Sequence, residues 1–453
     1  MRVVIVGAGY VGISTAVSLA YIGHEVTCLD VDEAKIELLR GGGFPIYEPW
    51  LEELAALARE RLTFTASYEC VRDAEVVFIA VGTPPLADGN PNLTYLEGAA
   101  TQIGRHLGPG FTVVVNKSTV PIGSGNWVGM LIRDAASAGG RNQSQARFAV
   151  ASNPEFLREG AALHDSLYPD RIVAGSDDAQ ALETLRRLYR PILEQTFAAP
   201  AFLPRPEGLE VVPWLTTNLA SSELVKYAAN AFLALKISFI NDIAQLSEKV
   251  GGDIVQIAKG IGLDARIGVR FLQAGVGWGG SCFAKDTAAL IATAREYGLS
   301  LPTVEAAREV NRRQRERAVE KLQSELKILK GRTIGLLGLA FKPNTDDLRD
   351  APALEIAQRL AERGARVRAH DPVALPRARR ECAGSHISFC DDLISLADGA
   401  DALVLVTEWP HYRDVDWDAL KQRLAVPLIL DCRNYLDREA LERAGFRYLG
   451  MGR

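Results

Sequence analysis

Residues 1–12 read MRVVIVGAGYVG, a short apolar run that leads straight into glycines. Such a β-branched run is typical of a buried strand, and Gly7, Gly9 and Gly12 follow it with the spacing GxGxxG. Between a strand and a helix, this spacing predicts a dinucleotide site. Gly7 permits the tight turn, Gly9 admits the pyrophosphate, and Gly12 lets the helix pack on the strand. We therefore expect a first strand here and not a signal peptide.

An acidic residue follows at the distance that such a site requires. Asp30 ends the second predicted strand, about 20 residues after the glycines. Its carboxylate would accept a hydrogen bond from a ribose 2′-hydroxyl and would repel a 2′-phosphate, which predicts NAD rather than NADP. Asp32 competes for this role, although the strand end favours Asp30. Lys35 either contacts the adenosine ribose or is a solvated helix residue.

Short β-branched runs alternate with amphipathic helical segments before residue 200 and again from Arg332 onward. This alternation predicts doubly wound parallel sheets. Between them lies a long helical stretch, for which Ser221–Glu223 offers a cap. The predicted fold class is α/β, with two Rossmann-like doubly wound parallel-sheet domains joined by a central helical domain with a long helix. The predicted domains are residues 1–212, 213–325 and 326–453.

The overall composition excludes several classes of protein. Among 453 residues, 51 Lys and Arg face 56 Asp and Glu, and the net charge of −5 does not favour nucleic acid or an anionic membrane. An anionic substrate would need a local basic cluster. The six cysteines are scattered without a CxxC pair, which argues against disulfides and a metal site and favours a cytoplasmic protein. The charged run Asn311–Arg317 is interpreted as a solvated helix face.

Two further strand ends carry groups suited to a cofactor crevice, because ligands bind at the carboxyl ends of parallel strands. Gly82, Thr83 and Pro84 follow one strand, and Ser118 and Thr119 follow the next. Hydroxyls in such places also cap the following helix. The repetition of the pattern on two strands favours a functional role.

The most informative stretch is GVGWGGSCFAKD at residues 275–286. Its four glycines predict a turn whose backbone can approach a ligand closely, and a helix is predicted after it. Cys282 would then lie near a helix N-terminus with Lys285 close by, and both favour the nucleophilic thiolate. A reactive thiol combined with a hydride-accepting cofactor indicates oxidation of an alcohol through an aldehyde and a thioester to an acid.

Two pairs of polar residues are spaced i, i+4 and would each share a helix face. Lys226 and Asn230 lie in an otherwise apolar part of the long helix. Glu155 and Glu159 lie in NPEFLREG at residues 153–160, where Pro154 suits the first position of a helix. We expect Glu155 and Glu159 to face a crevice, and we expect Lys226 to have a partner.

Together these stretches resemble the UDP-glucose/GDP-mannose dehydrogenase family over essentially the whole chain. The similar segments are residues 7–12, KSTVP at 117–121, NPEFLREG at 153–160, the helical segment 226–241, GGSCFAKD at 279–286, GLAFKPNTDD at 338–347 and DCRN at 431–434. The resemblance implies an NAD-binding unit, a central helical dimerisation unit and a C-terminal nucleotide-sugar unit. It also implies that NAD oxidises UDP-glucose in two steps to UDP-glucuronate.

The resemblance further implies roles for individual side chains. Cys282 would form a thiohemiacetal and then a thioester with the substrate. Lys226 and Asp286 would steady the oxyanion and the water, and Asn230 would hold the same oxygen. Glu155 would assist hydrolysis. The implied catalytic residues are Cys282, Lys226, Asp286, Asn230, Glu155 and Thr119, the last of which would orient the water.

Binding residues form two sets. The expected cofactor contacts are Gly7, Gly9, Tyr10, Val11, Gly12, Asp30, Lys35, Gly82, Thr83, Pro84, Ser118, Thr119, Glu159, Lys285 and Arg349. The implied substrate contacts are Glu155, Phe156, Leu157, Glu159, Lys226, Asn230, Arg266, Phe271, Leu272, Gly279, Phe341, Lys342 and Arg433. Arg266 is similar to an arginine that reaches the UDP of the neighbouring subunit, and no metal is implied.

Alternatives to UDP-glucose oxidation stay open at this point. The same chemistry on GDP-mannose or a UDP-N-acetylhexosamine is the nearest alternative. A non-enzymatic NAD-sensing module is another, but it has no need for Cys282, Lys226 and Asp286 together. The Pro-rich stretch at 199–213 has no predicted role.

Overall fold

The computed structural model describes residues 1–84, 86, 91–138 and 147–453. They form two compact units, each made from two segments of the chain. The first unit comprises Met1–Ala229 and Ala288–Glu296, and the second comprises Asn230–Thr287 and Tyr297–Arg453. The three domains predicted from the sequence stay a prediction.

An eight-stranded sheet forms the centre of the first unit. Its strands are β1 (Arg2–Val6), β2 (Glu25–Leu29), β3 (Leu62–Thr65), β4 (Val76–Ile79), β5 (Thr112–Asn116), β6 (Phe148–Ser152), β7 (Ile172–Gly175) and β8 (Trp214–Thr217). Their order is β3-β2-β1-β4-β5-β6-β7-β8. Neighbouring strands are parallel except β6 and β7, which meet antiparallel. The predicted parallel sheet is confirmed with this one exception.

Helices cover both faces of this sheet. They are α1 (Tyr10–Tyr21), α2 (Glu33–Arg40), α3 (Leu51–Ala58), α4 (Thr94–His106), α5 (Ser124–Ala138), α6 (Ala162–Leu167) and α7 (Ala179–Leu193). Ile5 and Phe78 belong to one hydrophobic core, whereas their neighbours Val4 and Val77 belong to another. Alternate residues of a strand point to opposite faces, so both faces are buried, which explains the almost continuous apolar runs in the sequence.

The strand order of the first sheet reverses between β1 and β4. Connections from these two strands therefore run to opposite faces and leave a crevice at the carboxyl ends, where ligands bind in such folds. Gly7 follows β1 and Ala80 follows β4. The predicted glycine turn thus lies at the place in the sheet that favours nucleotide binding.

The Pro-rich passage at 199–213 packs against the first unit and leads into β8. The ring of Phe202 stacks on that of Trp50, with centroids 5.6 Å apart, and the hydroxyl of Tyr168 donates to the carbonyl of Leu203 at 2.9 Å. Val212 is buried in the same hydrophobic core as β1. The passage therefore extends the core of the first unit.

Four helices follow the first sheet, namely α8 (Leu219–Val250), α9 (Ile254–Gly262), α10 (Ser281–Glu296) and α11 (Pro302–Leu326). The 32-residue α8 is the predicted long helix. Its predicted cap is wrong, because α8 begins at Leu219 and the side chain of Asn218 accepts the N–H of Ser221 at 2.8 Å. Within the described ranges, none of the helices combines the length and apolarity that a membrane crossing needs.

Several large apolar side chains of α8 remain exposed on the chain. They are Leu224, Phe232, Phe239, Leu246 and Val250. Large exposed apolar side chains along one helix favour an interaction surface, and the predicted dimer stays a prediction.

The second unit carries a six-stranded, entirely parallel sheet. Its strands are β9 (Thr333–Leu337), β10 (Arg366–His370), β11 (Ile387–Phe389), β12 (Ala402–Leu405), β13 (Leu428–Asp431) and β14 (Arg447–Gly450), in the order β11-β10-β9-β12-β13-β14. Its helices are α12 (Pro352–Glu362), α13 (Leu375–Glu381), α14 (Leu393–Ala397), α15 (Trp417–Lys421) and α16 (Arg438–Arg443). This confirms the second predicted α/β region.

The acidic residue that follows β10 serves the fold of the second unit. Asp371 is buried and accepts hydrogen bonds from the N–H groups of Leu339 and Ala340, just after β9. It also accepts from the N–H groups of Val373 and Ala374 and from the indole of Trp409. With five donors, this carboxylate has no capacity left for a ribose hydroxyl.

The charged run on α11 is only in part the solvated face that the sequence suggested, since Arg312 and Arg313 are exposed. Asn311, Gln314 and Arg315 are buried. The guanidinium of Arg315 is paired with Asp350 at 2.8 Å and with Glu355. The interpretation failed for Arg315 because its partners come from a distant part of the chain, and a local charge pattern does not show them.

We predict that Arg315→Ala destabilises the second unit. The change removes the guanidinium that pairs with Asp350 and leaves Glu355 with Arg359 alone, which costs about 1–3 kcal/mol, or several degrees in melting temperature. Arg312→Ala is the matched control, since Arg312 lies in the same run with a 64% exposed side chain paired to Glu309 and should shift stability by less than about 0.5 kcal/mol. Calorimetry of both variants checks this, and equal effects would contradict a structural role for Arg315.

Candidate active site

The glycine turn after β1 has the geometry that a close ligand requires. Gly7 has φ +107°, and a Cβ there would lie 2.7 Å from the carbonyl oxygen of Ala80. A Cβ on Gly12 would collide with the carbonyl oxygen of Gly7. No atom lies within 4 Å of the Cβ position of Gly9, which immediately precedes α1. Packing therefore requires Gly7 and Gly12, whereas Gly9 leaves open space at a helix N-terminus.

Asp30 lies directly against this turn. Its carboxylate accepts the N–H of Ala8 at 2.7 Å, and the ammonium of Lys35 lies 2.9 Å away. Burial opposes ionisation, but Lys35 and the backbone donors hold the pKa of Asp30 below its ordinary value. Asp32 caps α2 by accepting the N–H of Lys35. The carboxylate at the turn is thus that of Asp30, and Lys35 is its ion-pair partner. An anionic acceptor beside open backbone fits a dinucleotide.

The hydroxyls at the next two strand ends hold two loops together. Thr83 donates to the carbonyl of Thr119 at 2.8 Å, and Ser118 donates to the carbonyl of Val81 at 2.8 Å. Gly82, in contrast, has no atom within 4 Å of its Cβ position. Neither hydroxyl caps the following helix, since α4 begins at Thr94 and α5 at Ser124. The contact of Thr83 and Ser118 with a cofactor stays a prediction.

The segment 153–160 is not the helix that the sequence suggested. It has no regular secondary structure, and α6 begins only at Ala162. Glu155 and Glu159 therefore do not share a helix face, and Pro154 does not begin a helix. Instead, long-range partners shape this segment, and they could not be read from local spacing.

Glu48 is one of these partners, and no motif in the sequence marks it. Its buried carboxylate accepts the N–H groups of Gly160 and Ala162, each at 2.7 Å, and the hydroxyl of Tyr10. The Tyr10 hydroxyl also accepts the N–H of Gly160 at 2.6 Å. Glu48 therefore ties the end of the segment 153–160 to the start of α1.

A polar cavity of about 260 Å³, including its open mouth, lies in the first unit beside the start of that segment. Its lining residues that carry polar side chains are Asn116, Lys117, Ser118, Thr119, Ser152, Glu155, Glu223, Lys226 and Tyr227. The ammonium of Lys226 lies 2.8 Å from the carboxylate of Glu155, and both side chains are buried. This ion pair confirms that Lys226 has a partner. The cavity thus brings together Thr119, Glu155 and Lys226 of the predicted site.

Ionisation of Glu155 is favoured despite its burial. Loss of hydration disfavours the carboxylate, but the ammonium of Lys226 and the N–H of Leu157, 2.7 Å away, outweigh this cost. The pKa of Glu155 is therefore lower than that of an ordinary glutamate. A carboxylate that stays ionised at neutral pH is able to accept a proton from water.

Phe156 is fixed from one side by a cation that the sequence reading missed. The guanidinium of Arg171 lies 3.7 Å from the centroid of the Phe156 ring, and the ammonium of Lys226 lies 5.7 Å from it. Both are cation–π contacts. Arg171 stands before β7, and no motif marks it.

In the second unit, other parts of the protein occupy the space beside the glycines that precede Cys282. A Cβ on Gly275, Gly277 or Gly279 would collide with Cys432, Asn311 or Asp350, respectively. Gly280 has φ +83°, and its Cβ would lie 2.7 Å from the ring of Phe341. The expectation that these glycines admit a ligand to the backbone is thus replaced by a packing requirement.

Cys282 is the second residue of α10, so the predicted place at a helix N-terminus is confirmed. Another predicted catalytic residue, Asp286, lies one helical turn after Cys282. Asp286 is fully buried, accepts the side-chain amide of Asn230 at 2.6 Å and pairs with Lys285 at 2.7 Å. Because Cys282 and Asp286 are spaced i, i+4, they share one face of α10.

The other five cysteines have environments that keep the thiol protonated. Burial raises the pKa of Cys28 and of Cys432 to about 12, and that of Cys70 to about 11. It also raises the pKa of Cys382 and Cys390. Since only the thiolate is a good nucleophile, these environments disfavour a nucleophilic role for the five residues.

The predicted nucleotide contacts of the second unit differ in exposure. Arg266 has an 88% exposed side chain and pairs with Asp264. Phe271 adopts φ +66°, and the neighbouring Leu272 is buried. Exposure leaves the Arg266 side chain open to a second molecule, as its predicted role requires.

Three cations follow or adjoin the second sheet. The guanidinium of Arg433 donates to the carbonyls of Val406 and Gly277, at 2.8 and 2.9 Å. Lys342 lies over the ring of Phe341, 5.4 Å from its centroid. Arg349 is held by Asp347 at 2.7 Å. The contacts of Arg433, Lys342 and Arg349 with ligands stay predictions.

Comparison with known proteins gives a consistent picture along the chain. Residues 1–193, 220–313 and 335–438 match the NAD binding domain, the central domain and the UDP binding domain of the UDP-glucose/GDP-mannose dehydrogenase family. The chain is 45% identical to a UDP-glucose 6-dehydrogenase of Rhizobium meliloti over 100% of both chains. It is also 43% identical to UDP-glucose 6-dehydrogenase TuaD of Bacillus subtilis over 100% of this chain and 93% of that one.

Solved structures agree. The chain superimposes on a UDP-glucose dehydrogenase of Pyrobaculum islandicum with a TM-score of 0.87 and 39% identity, over 100% of this chain and 97% of that one. A UDP-D-ManNAc dehydrogenase of Pyrococcus horikoshii gives a TM-score of 0.83 and 26% identity, over 100% and 99%.

The two glycines of the turn should respond differently to alanine. Gly12→Ala should lower the melting temperature, because its Cβ collides with the backbone of Gly7. Gly9→Ala should keep the melting temperature, because its Cβ position is open, and should weaken NAD binding, because the methyl group occupies the space of the ligand. Calorimetry and titration with NAD measure both effects. Unchanged NAD binding by Gly9→Ala would contradict a dinucleotide at this turn.

Proposed function

Because this chain belongs to the UDP-glucose/GDP-mannose dehydrogenase family, we propose that it oxidises UDP-glucose to UDP-glucuronate in two successive steps. It is an NAD-dependent dehydrogenase, with its NAD binding domain in the first unit. The observation that supports the proposal most is Cys282 in the first turn of α10, on the same helix face as buried Asp286. A simple alcohol dehydrogenase has no use for such a cysteine.

The proposed reaction balances as follows. When bound, NAD supplies hydride acceptance for both oxidations. The sulfur of Cys282 adds to the carbonyl carbon of the aldehyde that forms from the alcohol. The carbonyl oxygen of the aldehyde becomes an oxyanion. Oxidation of this thiohemiacetal gives a thioester. Water then attacks the thioester carbon, the C–S bond breaks, and Cys282 leaves as a thiolate while the carboxylic acid forms.

Four other side chains are proposed to accept protons and to stabilise charge in these steps. Lys226 and Asn230 donate hydrogen bonds to the oxyanion, and the loss of one such donor typically lowers the rate about 10²–10³-fold. Glu155 takes the proton of the attacking water, which its ionised state at neutral pH supports. Asp286 steadies the water, and its bond to Asn230 supports a shared site for both residues.

Substrate recognition is proposed to use the cations of the second unit. Lys342 and Arg433 would contact the UDP sugar, and Arg266 would reach the UDP bound by a partner subunit. The carbonyls that hold Arg433 fix its guanidinium in place, so less side-chain entropy is lost when it binds an anion. These cations would provide the positive charge that an acidic protein needs to bind a diphosphate.

Assembly and location follow as parts of the same proposal. We propose at least a homodimer, because α8 exposes Phe232, Phe239 and Leu246 on the isolated chain. We propose a cytoplasmic location, because the scattered cysteines suit a reducing compartment.

A panel of nucleotide sugars tests the substrate. We expect NADH to form with UDP-glucose at two molar equivalents per sugar consumed, since two hydrides must leave the same carbon. GDP-mannose and UDP-N-acetylmannosamine are the controls, and we expect little NADH from either. A preference for one of these controls in absorbance assays would overturn the proposed substrate, although not the dehydrogenase chemistry.

The covalent step has a separate test. Cys282→Ala should lose nearly all acid formation, while Glu155→Gln should slow hydrolysis and let the thioester build up on Cys282. Intact-protein mass spectrometry after addition of UDP-glucose and NAD detects the adduct. Cys390→Ala is the control, since this thiol stays protonated, and it should behave like the wild type. Normal UDP-glucuronate production by Cys282→Ala would exclude the covalent route.

A further inference from the structure

Lys117 is a buried cation to which no role has been assigned. It follows the last residue of β5 and lines the polar cavity next to Glu155 and Lys226. Its ammonium donates to the side-chain oxygen of Asn153 at 3.0 Å and lies 5.7 Å from the centroid of the Phe78 ring. A lysine in so dry a place usually needs a function or a carboxylate nearby.

The charges that face Lys117 identify that carboxylate. Glu155 stabilises the ammonium of Lys117, whereas the ammonium of Lys226 destabilises it. Glu223 also lines the cavity, but its two carboxylate oxygens already accept the N–H groups of Gly123 at 2.6 Å and Gly125 at 2.8 Å. Burial raises the pKa of Tyr189, which bonds the same Asn153 oxygen and stays neutral. Among the facing groups, the favourable partner of Lys117 is therefore Glu155.

Lys117 remains positively charged at neutral pH. Burial is the largest influence on it and lowers its pKa to about 8, and Glu155 limits the decrease. Glu155 thus has two cations, of which Lys226 makes the direct contact at 2.8 Å.

The cavity is also prepared for a polar guest. Asn116 is buried at the end of β5 and lines the cavity. Across the residues that the structure describes, neither atom of its side-chain amide has a hydrogen-bond partner. A buried amide without a partner is costly, so a water or a ligand oxygen is expected to enter. Such a guest would compete with Glu155 for the ammonium of Lys226.

From this competition we propose that Lys117 is a positioning residue for Glu155. Its ammonium is the second positive charge that keeps Glu155 ionised when the ammonium of Lys226 turns to a substrate oxygen. The inference rests on the proposed function, in which Glu155 accepts the proton of the attacking water and Lys226 binds the oxyanion. Without Lys117, Glu155 would lack this second positive charge at that stage and would take up a proton more readily.

The test is the pH dependence of thioester hydrolysis. The wild type, Lys117→Met and Lys117→Arg react once with UDP-glucose and NAD, and quenched mass spectrometry follows the adduct from pH 5 to 9. For Lys117→Met, we expect the acid limb of the hydrolysis rate to move up by about 1–3 pH units, as removal of a nearby opposite charge does to a carboxyl group. Lys117→Arg keeps the charge and should retain the acid limb of the wild type.

Two further variants separate charge from structure. Tyr189→Phe removes the other donor to the Asn153 oxygen without changing charge, so its acid limb should stay in place. In a Glu155→Gln background, Lys117→Met should cause no shift, because the titrating carboxyl is gone. If Lys117→Met does not fold, Lys117→Met/Glu155→Gln is examined. Recovery of folding would support the charge pairing, and continued failure would contradict it.

The outcomes distinguish this inference from the function on which it rests. An unmoved acid limb in Lys117→Met, or an equal shift in Lys117→Arg, would overturn the role of Lys117 while the adduct still forms. Absence of any adduct in both the wild type and Glu155→Gln would overturn the covalent function itself, and the inference with it.

Discussion

Much of the proposed chemistry depends on the buried ion pair of Lys226 and Glu155. Neither charge would be stable alone in so dry an environment, because loss of hydration outweighs any single hydrogen bond. The chain therefore brings Glu155 from the segment after β6 to Lys226 on α8. The pair holds the segment 153–160, which has no regular secondary structure, to α8. A helix there would fix the direction of Glu155 by its own geometry, whereas the irregular segment is held by its contacts, including those of Glu48 with Gly160 and Ala162.

Features with a local physical cause could be predicted from the sequence. The central strands of both sheets were visible because strands covered on both faces must be apolar throughout, as Val76–Ile79 and Ala402–Leu405 are. The glycine turn was predictable because a Cβ on Gly12 would meet the backbone five residues earlier. The place of Cys282 at a helix start was predictable because a glycine-rich turn precedes a helical pattern.

Features with a distant cause were missed or misread. Arg315 looked like part of a solvated run because its carboxylate partners lie 35 and 40 residues further along the chain. Glu48 and Arg171 gave no signal, since each acts on an element far away in sequence. The glycines at 275–280 suggested a ligand, but their neighbours are Cys432, Asn311, Asp350 and Phe341, which only the folded second unit brings there.

The carboxylate of Asp371 already accepts five hydrogen bonds, and this distinguishes the second sheet from the first. Asp30 and Asp371 follow the second strand of their respective sheets, and both accept backbone N–H groups from the turn after the first strand. Asp30 accepts from three donors, whereas Asp371 is enclosed by five. The second sheet therefore lacks a free acidic acceptor at the position that Asp30 occupies in the first. A designer who wished to convert the second sheet into another dinucleotide binder would have to dismantle its own loop anchoring first, so duplication of the fold does not bring duplication of the binding specificity.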